Sequence, residues 1–226
     1  MKSHIEKLFA FKEFQNLSDI SYETIEKYAR IYNAPAHTNI LFEKKDCEYV
    51  YYILTGVVSL YRLNEKGRRK VIFMFPKGHY INEDQQGDYH SAICAQAFED
   101  STLLCIPKDI FLQLMVSDPV FMKHVYASLS GKIRRMYRQL KNGEARLDKK
   151  LASKFYKLAK DHGISSEKGV FINMELSVTY LSDLLGAQRE SVSRALKTLV
   201  DAGLIHYEKK SFYVRDTKKL ADYFKK

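Results

Sequence analysis

Four polar residues near the start of a predicted helix carry side chains that can recognise DNA bases: Arg189, Glu190, Ser193 and Arg194. Positions 190, 193 and 194 share one helix face, because side chains three and four residues apart are neighbours. Arginine can donate two hydrogen bonds to guanine O6 and N7, and glutamate can accept one from cytosine N4. The spacing indicates base readout, and the alternative is the solvated face of an ordinary helical hairpin.

Residues 176–205 predict two short helices joined by a tight turn. Ser177 is a candidate N-cap of the first helix, and Gly186 suits a left-handed turn at its end. The second helix starts near Arg189 and ends at Gly203. The apolar positions of the two helices repeat at helical spacing and form their apolar faces. They are Leu181, Leu184, Leu185, Val192, Leu196 and Leu199.

This segment, L-S-x-x-x-L-x-x-L-L-G-x-x-R-E-S-V-S-R-A-L, resembles the helix-turn-helix of the Crp/Fnr family of bacterial transcription regulators. The resemblance implies that Arg189, Glu190 and Arg194 read half-sites of the TGTGA type. Family members usually carry Ser or Thr where Gln188 stands, and Gln is a poorer helix cap. The predicted DNA-contacting residues are Ser177, Gln188, Arg189, Glu190, Ser191, Ser193 and Arg194, with Lys209 and Lys210 at the tip of a predicted β-hairpin wing over residues 206–214.

The N-terminal half predicts a β-barrel or jelly roll, because short β-rich runs alternate with turn residues. Residues 1–32 are instead predicted to be helical, with Ser21 capping their second part. The segments 51–61 and 75–81 resemble the cyclic-nucleotide-binding type of barrel found in the same family. The predicted strands cover residues 40–42, 49–54, 57–63, 71–75, 90–98 and 102–106.

A long helix is predicted from Asp118-Pro119, a cap followed by a first-turn proline, to about residue 142. The family uses this helix as its dimer axis, and packing against its own barrel is the alternative. The fold class is therefore α+β, with a barrel in residues 1–117, a dimerisation helix and hinge in 118–147, and a winged helix-turn-helix in 148–226. The coiled-coil-like apolar seam comprises Phe121, Met122, Val125, Leu129, Ile133, Met136 and Leu140.

The pocket motifs of the cyclic-nucleotide binders are altered in this chain. Where the family has G-E-x-L and R-S-A, Asn82 replaces the glycine and His90 replaces the arginine that neutralises the phosphate. Asp84 and Asp88 add negative charge, so cyclic AMP is not expected to be the effector. The effector would instead be a small organic molecule, as in halophenol-sensing relatives. The residues that would line its site are Tyr80, Glu83, Tyr89, His90, Ser91 and Tyr137. The alternatives are that these residues only pack the barrel, or that the protein binds DNA constitutively.

The histidines of the barrel allow two other functions. A haem sensor would need axial ligands from His79, His90, Cys94 or His124. A cupin-like metalloenzyme would use His79, Glu83 and His90, but the H-x-H pair of such sites is absent. The three cysteines have no metal-binding or redox spacing. We therefore expect no enzymatic activity, no cofactor and no bound metal.

The formal net charge of +10 suits a polyanionic partner. From Asp148 onward, 16 Lys and Arg stand against 10 Asp and Glu, so the C-terminal 79 residues carry +6. No apolar run approaches the roughly 20 residues of a membrane helix, and the N-terminus lacks a signal-peptide core. The expected protein is cytoplasmic, without membrane contact. Its expected partners are double-stranded DNA, a second copy of the chain, RNA polymerase through the resemblance, and an unknown small molecule.

Overall fold

The computed structural model describes residues 8, 11–84, 90–141, 145–208 and 211–225. These residues form two compact units. One contains the described residues up to Leu63 together with Val71–Tyr137, and the other contains Asn64–Lys70 and those from Arg138 onward. The three-part division at residues 117 and 147 stays a prediction.

The first unit is built on two sheets, one of three strands and one of four. The strands are β1 Arg30–Ala34, β2 Asn39–Leu41, β3 Tyr49–Thr55, β4 Val57–Leu63, β5 Arg69–Pro76, β6 Cys94–Ala97 and β7 Ser101–Pro107. Their orders are β1-β7-β3 and β2-β6-β4-β5. Before the strands stand a 3-10 turn, Lys12–Phe14, and helix α1, Asp19–Tyr28. After them come α2, Lys108–Ser117, and α3, Pro119–Lys141, which runs on into the second unit.

Side chains from the two faces of the β1-β7-β3 sheet belong to separate hydrophobic cores. Ile53 and Leu103 face the other sheet and fill the barrel with Phe75. Tyr52 and Leu104 face the helices and pack with residues such as Phe14, Ile25, Phe111 and Phe121. This alternation follows the two-residue period of a strand.

Asp118 joins the beginnings of α1 and α3. Its carboxylate accepts hydrogen bonds from the backbone N–H groups of Val120, at 2.9 Å, and Phe121, at 3.2 Å. It also accepts from the Ser18 N–H and the Ser21 hydroxyl. Burial raises the pKa of Asp118, but these hydrogen bonds outweigh burial and hold the pKa at about 2. The predicted start of the long helix is thus confirmed.

Residues 1–7, 9 and 10 of the helix predicted over 1–32 lie outside the described residues, and Lys12–Phe14 forms only a 3-10 turn. The prediction is wrong at its C-terminal end. Residues 30–34 form strand β1, because Ile31 pairs opposite Leu104 of β7. Ser18, rather than Ser21, caps α1: its hydroxyl oxygen accepts from the Ser21 N–H. The strand predicted over residues 90–98 is shorter in the structure, which describes all nine of these residues and has only Cys94–Ala97 as a strand.

The long helix α3 presents two different faces, which corrects the predicted seam. Phe121 and Val125 are fully buried in the core of their own unit. Met122, Tyr126 and Ile133 are instead exposed, and the same stripe continues with Leu129, which is partly buried, and exposed Met136 and Leu140. In the part of the chain that the structure describes, no helix combines the length and apolar character needed to cross a lipid bilayer.

The second unit combines four helices of the described chain with a small four-stranded sheet. The elements are α4 Leu147–His162, β8 Gly163–Ser166, β9 Gly169–Ile172, α5 Val178–Leu185, α6 Arg189–Asp201, β10 Ile205–Glu208, β11 Ser211–Val214 and α7 Thr217–Lys225. The strand order is β10-β11-β9-β8. The predicted wing is confirmed as the hairpin of β10 and β11. Strands β8 and β9 and the last helix were not predicted from the sequence.

Candidate nucleic-acid interface

Helix α5 and the turn after it follow from local chemistry. The Ser177 hydroxyl accepts a hydrogen bond of 2.9 Å from the Tyr180 N–H, as an N-cap should. Gly186 takes the left-handed conformation with φ of 63°, which a side chain would strain. The Ala187 N–H then donates to the Ser182 carbonyl, closing the turn. The predicted cap and turn are confirmed.

Helix α6 is fixed by its apolar face. Val192, Ala195 and Leu199 are buried, and α6 packs on both α4 and α5. Helix α4 in turn contributes Phe155, whose ring lies 5.0 Å from that of Phe212 in β11. Helix α6 is therefore held in place by packed helices rather than by a loop.

The opposite face of α6 is polar and exposed. Arg189, Glu190, Ser193 and Arg194 are all exposed at or near its first turn. Arg194 donates from Nη2 to the hydroxyl oxygen of Ser191, 3.2 Å away, one turn earlier. The structure therefore places the predicted base-reading groups on one solvent-facing surface at the N-terminal end of the helix, beside the positive end of its dipole.

Gln188 occupies the N-cap position of α6 without making a side-chain cap bond. The Gln188 side chain is exposed. On the wing, Glu208 accepts a hydrogen bond of 2.5 Å from Lys168 in the turn between β8 and β9, and this hydrogen bond lowers the pKa of Glu208. The predicted wing-tip contacts, Lys209 and Lys210, lie outside the described residues.

Comparison with known proteins agrees with this geometry. A model of the Crp-like helix-turn-helix domain matches residues 149–223, and a model of the cyclic nucleotide-binding domain matches residues 32–118. The cAMP-activated global transcriptional regulator CRP of Pasteurella multocida is 25% identical over 208 residues, covering 88% of this chain and 97% of the relative. The chain belongs to the Crp/Fnr family of transcription regulators.

Two more proteins, one compared by sequence and one by structure, are similar to this chain. The anaerobic regulatory protein of Bacillus subtilis is 26% identical over 200 residues, covering 84% of this chain and 81% of the relative. A crp/fnr family transcriptional regulator from Eubacterium rectale superposes with a TM-score of 0.78 at 16% identity, over 96% of this chain and 99% of that one. The second comparison bears on the fold alone.

The predicted effector-lining residues have different surroundings in the described parts of the barrel, and their role at an effector site stays a prediction. Tyr80 is fully buried in an aromatic cluster, with its ring 4.8 Å from that of Tyr52. His90 is exposed and its Nδ1 lies 2.7 Å from Asp46 Oδ1. The Ser91 hydroxyl donates to the Ile93 carbonyl, and Tyr137 is 66% exposed on α3. Tyr89 lies outside the described residues.

Glu83 has partners that the sequence analysis missed. Glu83 is 1% exposed, and its carboxylate accepts hydrogen bonds from the Ser128 hydroxyl, at 2.6 Å, and from Lys132 Nζ. Lys132 also donates to the Ile81 carbonyl at 3.1 Å. A buried carboxylate needs such partners, because an unpaired charge in the interior is costly. The sequence feature that could have indicated these partners is the spacing of Val125, Ser128 and Lys132, which continues the buried face of α3.

The residues considered for haem or metal binding have other surroundings. The His79 ring stacks on Phe75 with centroids 4.8 Å apart, and its Nε2 lies 3.2 Å from Arg135 Nη2. Burial, followed by the Arg135 charge, lowers the pKa of His79. Among the described residues, no group of three or more His, Cys, Asp or Glu side chains is placed to hold a metal ion.

Proposed function

We propose that this chain regulates transcription as a homodimer that binds a pseudo-palindromic DNA site through two copies of α6. The observation that carries the proposal is the exposed Arg189, Glu190 and Arg194 face on a helix anchored by its opposite side. In helix-turn-helix proteins, the first residues of the second helix meet base edges in the major groove. Half-sites of the TGTGA type suit these three side chains.

The homodimer proposal is supported by the exposed stripe of α3. Its positions are separated alternately by four and three residues, which is the heptad pattern of a coiled-coil seam. A stripe of this kind is unusual on the free surface of a monomer, where exposed apolar patches mark interaction sites. The stripe residues are Met122, Tyr126, Leu129, Ile133, Met136 and Leu140.

The effector proposal is that cyclic AMP is not the signal, although one relative is described as cAMP-activated. Glu83 is already neutralised by Lys132, and His90, at the position of the family's phosphate-binding arginine, faces Asp46. A cyclic phosphate would therefore meet a carboxylate where it needs a cation. The signal is proposed to be another small organic molecule, which adjusts the DNA affinity of a chain that already discriminates the palindrome without it.

Fluorescence anisotropy with the purified protein tests these points together. The labelled duplex carries an inverted repeat of TGTGA, and the controls are a shuffled duplex and a duplex with one half-site. We expect the palindrome to bind at least about tenfold more tightly than the shuffled duplex, which corresponds to about 1.4 kcal/mol. Cyclic AMP should leave all three affinities unchanged.

Two results would count against the proposal in different ways. Equal affinity for the palindrome and the shuffled duplex would refute base readout by α6. Tighter palindrome binding on addition of cyclic AMP would refute only the proposal about the effector.

A further inference from the structure

A cavity of about 300 Å³ opens between the two sheets of the barrel, with β1, β3 and β7 on one side and β2 on the other. In the sheet of β1, β7 and β3, Arg30 pairs opposite Cys105, and Cys105 pairs opposite Tyr51. Because neighbouring strands lie about 4.8 Å apart, this row places the Arg30 and Tyr51 backbones within about 10 Å. The cation and the phenol can thus reach one small molecule.

The lining combines one positive charge with aromatic and polar groups. Tyr32, Tyr49 and Tyr51 line the cavity with Arg30, and the rings of Tyr49 and Tyr51 lie 6.3 Å apart in a tilted arrangement. No carboxylate is among the described residues that form the lining. Burial, followed by the neighbouring Cys47, raises the pKa of Cys105 to about 12, so its thiol adds no negative charge at neutral pH.

Four polar groups of the lining have free hydrogen-bonding capacity, whereas the Asn39 side-chain oxygen accepts from Tyr61 and Gln96. Neither the Arg30 guanidinium nor the hydroxyls of Tyr32, Tyr49 and Tyr51 form a hydrogen bond or ion pair with any residue that the structure describes. Arg30 and Tyr32 are exposed at the mouth, and Tyr49 and Tyr51 are half-buried. The four groups therefore remain available to a ligand.

We propose that this cavity binds a small organic anion, namely an aromatic carboxylate. The carboxylate would pair with the Arg30 guanidinium, whose planar fork matches two oxygens. The ring of the ligand would lie against Tyr49 and Tyr51, where offset or edge-on aromatic contacts are favourable. The volume is at the lower end of the range for small-molecule sites, so the ligand has one or two rings.

This site is separate from the group around Glu83 and Tyr80. Asn82 links the two regions, because its side-chain oxygen accepts from the Tyr51 N–H at 3.0 Å and its amide donates to the Tyr49 carbonyl at 2.9 Å. Glu83, the next residue, is held by Lys132 of α3. A ligand against Tyr49 and Tyr51 would therefore contact β3, whose backbone holds Asn82 next to the contact between barrel and long helix.

Isothermal titration calorimetry on the full chain without DNA tests the proposal independently of base readout. The probes are benzoate, 4-hydroxybenzoate and indole-3-acetate, each compared with its uncharged primary amide. We expect at least one carboxylate to bind saturably and at least about tenfold more tightly than its amide. Arg30→Gln should abolish that advantage, whereas Arg68→Gln, an exposed arginine on the β4–β5 turn, should retain it.

Tyr51→Phe removes the hydroxyl and keeps the aromatic ring, so it should weaken binding without abolishing it. Circular dichroism of each variant checks that the fold is intact. The proposal is overturned if no carboxylate outbinds its amide, or if Arg30→Gln and Arg68→Gln bind the preferred carboxylate equally well.

Discussion

Arg194 carries the most specific residue-level consequence of the proposed DNA interface. Its guanidinium is exposed and oriented by the Ser191 hydroxyl at 3.2 Å. Arg194→Ala should cost on the order of 1–3 kcal/mol on the preferred site and relax specificity at one base pair, as expected for a bidentate contact to guanine. Competitive anisotropy with duplexes substituted at each position of the half-site measures both effects.

Arg194→Lys is the matched control for that substitution. Lysine keeps the positive charge but loses the planar fork. We therefore expect it to keep binding to shuffled DNA while losing discrimination at the same base pair. If Arg194→Ala weakened binding equally on every sequence, Arg194 would be a phosphate contact rather than a base reader.

Tyr80 and Tyr52 are buried neighbours with contrasting hydroxyls. Tyr52 donates to Glu13 Oε2 at 2.9 Å, whereas the Tyr80 hydroxyl has no partner among the described residues. Because an unsatisfied buried polar group costs about 1–3 kcal/mol, Tyr80→Phe should raise the free energy of unfolding by about 1 kcal/mol. Tyr52→Phe should lower it by a similar amount, and urea unfolding of both variants provides the measurement.

The opposite order of the two unfolding free energies would indicate a different role for Tyr80. If Tyr80→Phe were more destabilising than Tyr52→Phe, the Tyr80 hydroxyl would have a bound partner in solution. That result would favour the sequence-based prediction that Tyr80 lines an effector site over its role as barrel packing.

At the scale of elements, helix α3 uses its two faces differently. The face with Val125, Ser128 and Lys132 packs on the barrel, and the stripe with Ile133 is exposed. Ile133→Lys places a charge in the proposed dimer seam and should raise the dimer dissociation constant at least about tenfold. Sedimentation velocity over a concentration series measures the change.

Ala127→Lys gives the control for this prediction. Ala127 is also exposed on α3 but lies one position after Tyr126, outside the stripe. The same charge there should leave the dimer intact. If both variants remained dimeric, or if the unmodified chain were monomeric, the stripe would not be the dimer interface.

Elements with strong local signals could be predicted from the sequence. The helices α5 and α6 have a regular apolar period, a serine cap and Gly186, so their existence and their junction followed directly. Strand β1 lacks such a signal: of its five residues, only Ala34 is buried, and its conformation depends on pairing with β7. Strand β8 is exposed throughout and depends in the same way on β9.

The candidate sites divide along the same line. The polar face of α6 is local, since Arg189 and Arg194 lie on one helix. The pairing of Glu83 with Lys132 joins residues 49 positions apart, and sequence spacing cannot specify such a contact. The cavity beside Arg30 likewise depends on strand register across β1, β7 and β3.

At the scale of the whole molecule, α3 connects the barrel to the DNA-contacting unit, because it begins in the first and continues into the second. In the proposed dimer, a ligand would act by favouring one arrangement of the paired helices over another. Such a shift requires that the ligand bind the two arrangements with different affinities. The net charge of +10 adds attraction to DNA that does not depend on sequence.

Selection of bound sequences from random duplex DNA by the purified full chain is the most direct test of the central claim. We predict enrichment of an inverted repeat with TGTGA-like half-sites whose centres lie about one helical turn, roughly 34 Å, apart. The same selection with Arg194→Ala should lose the preference at one position of each half-site. A pool that is retained on the protein but shares no inverted repeat would contradict the account.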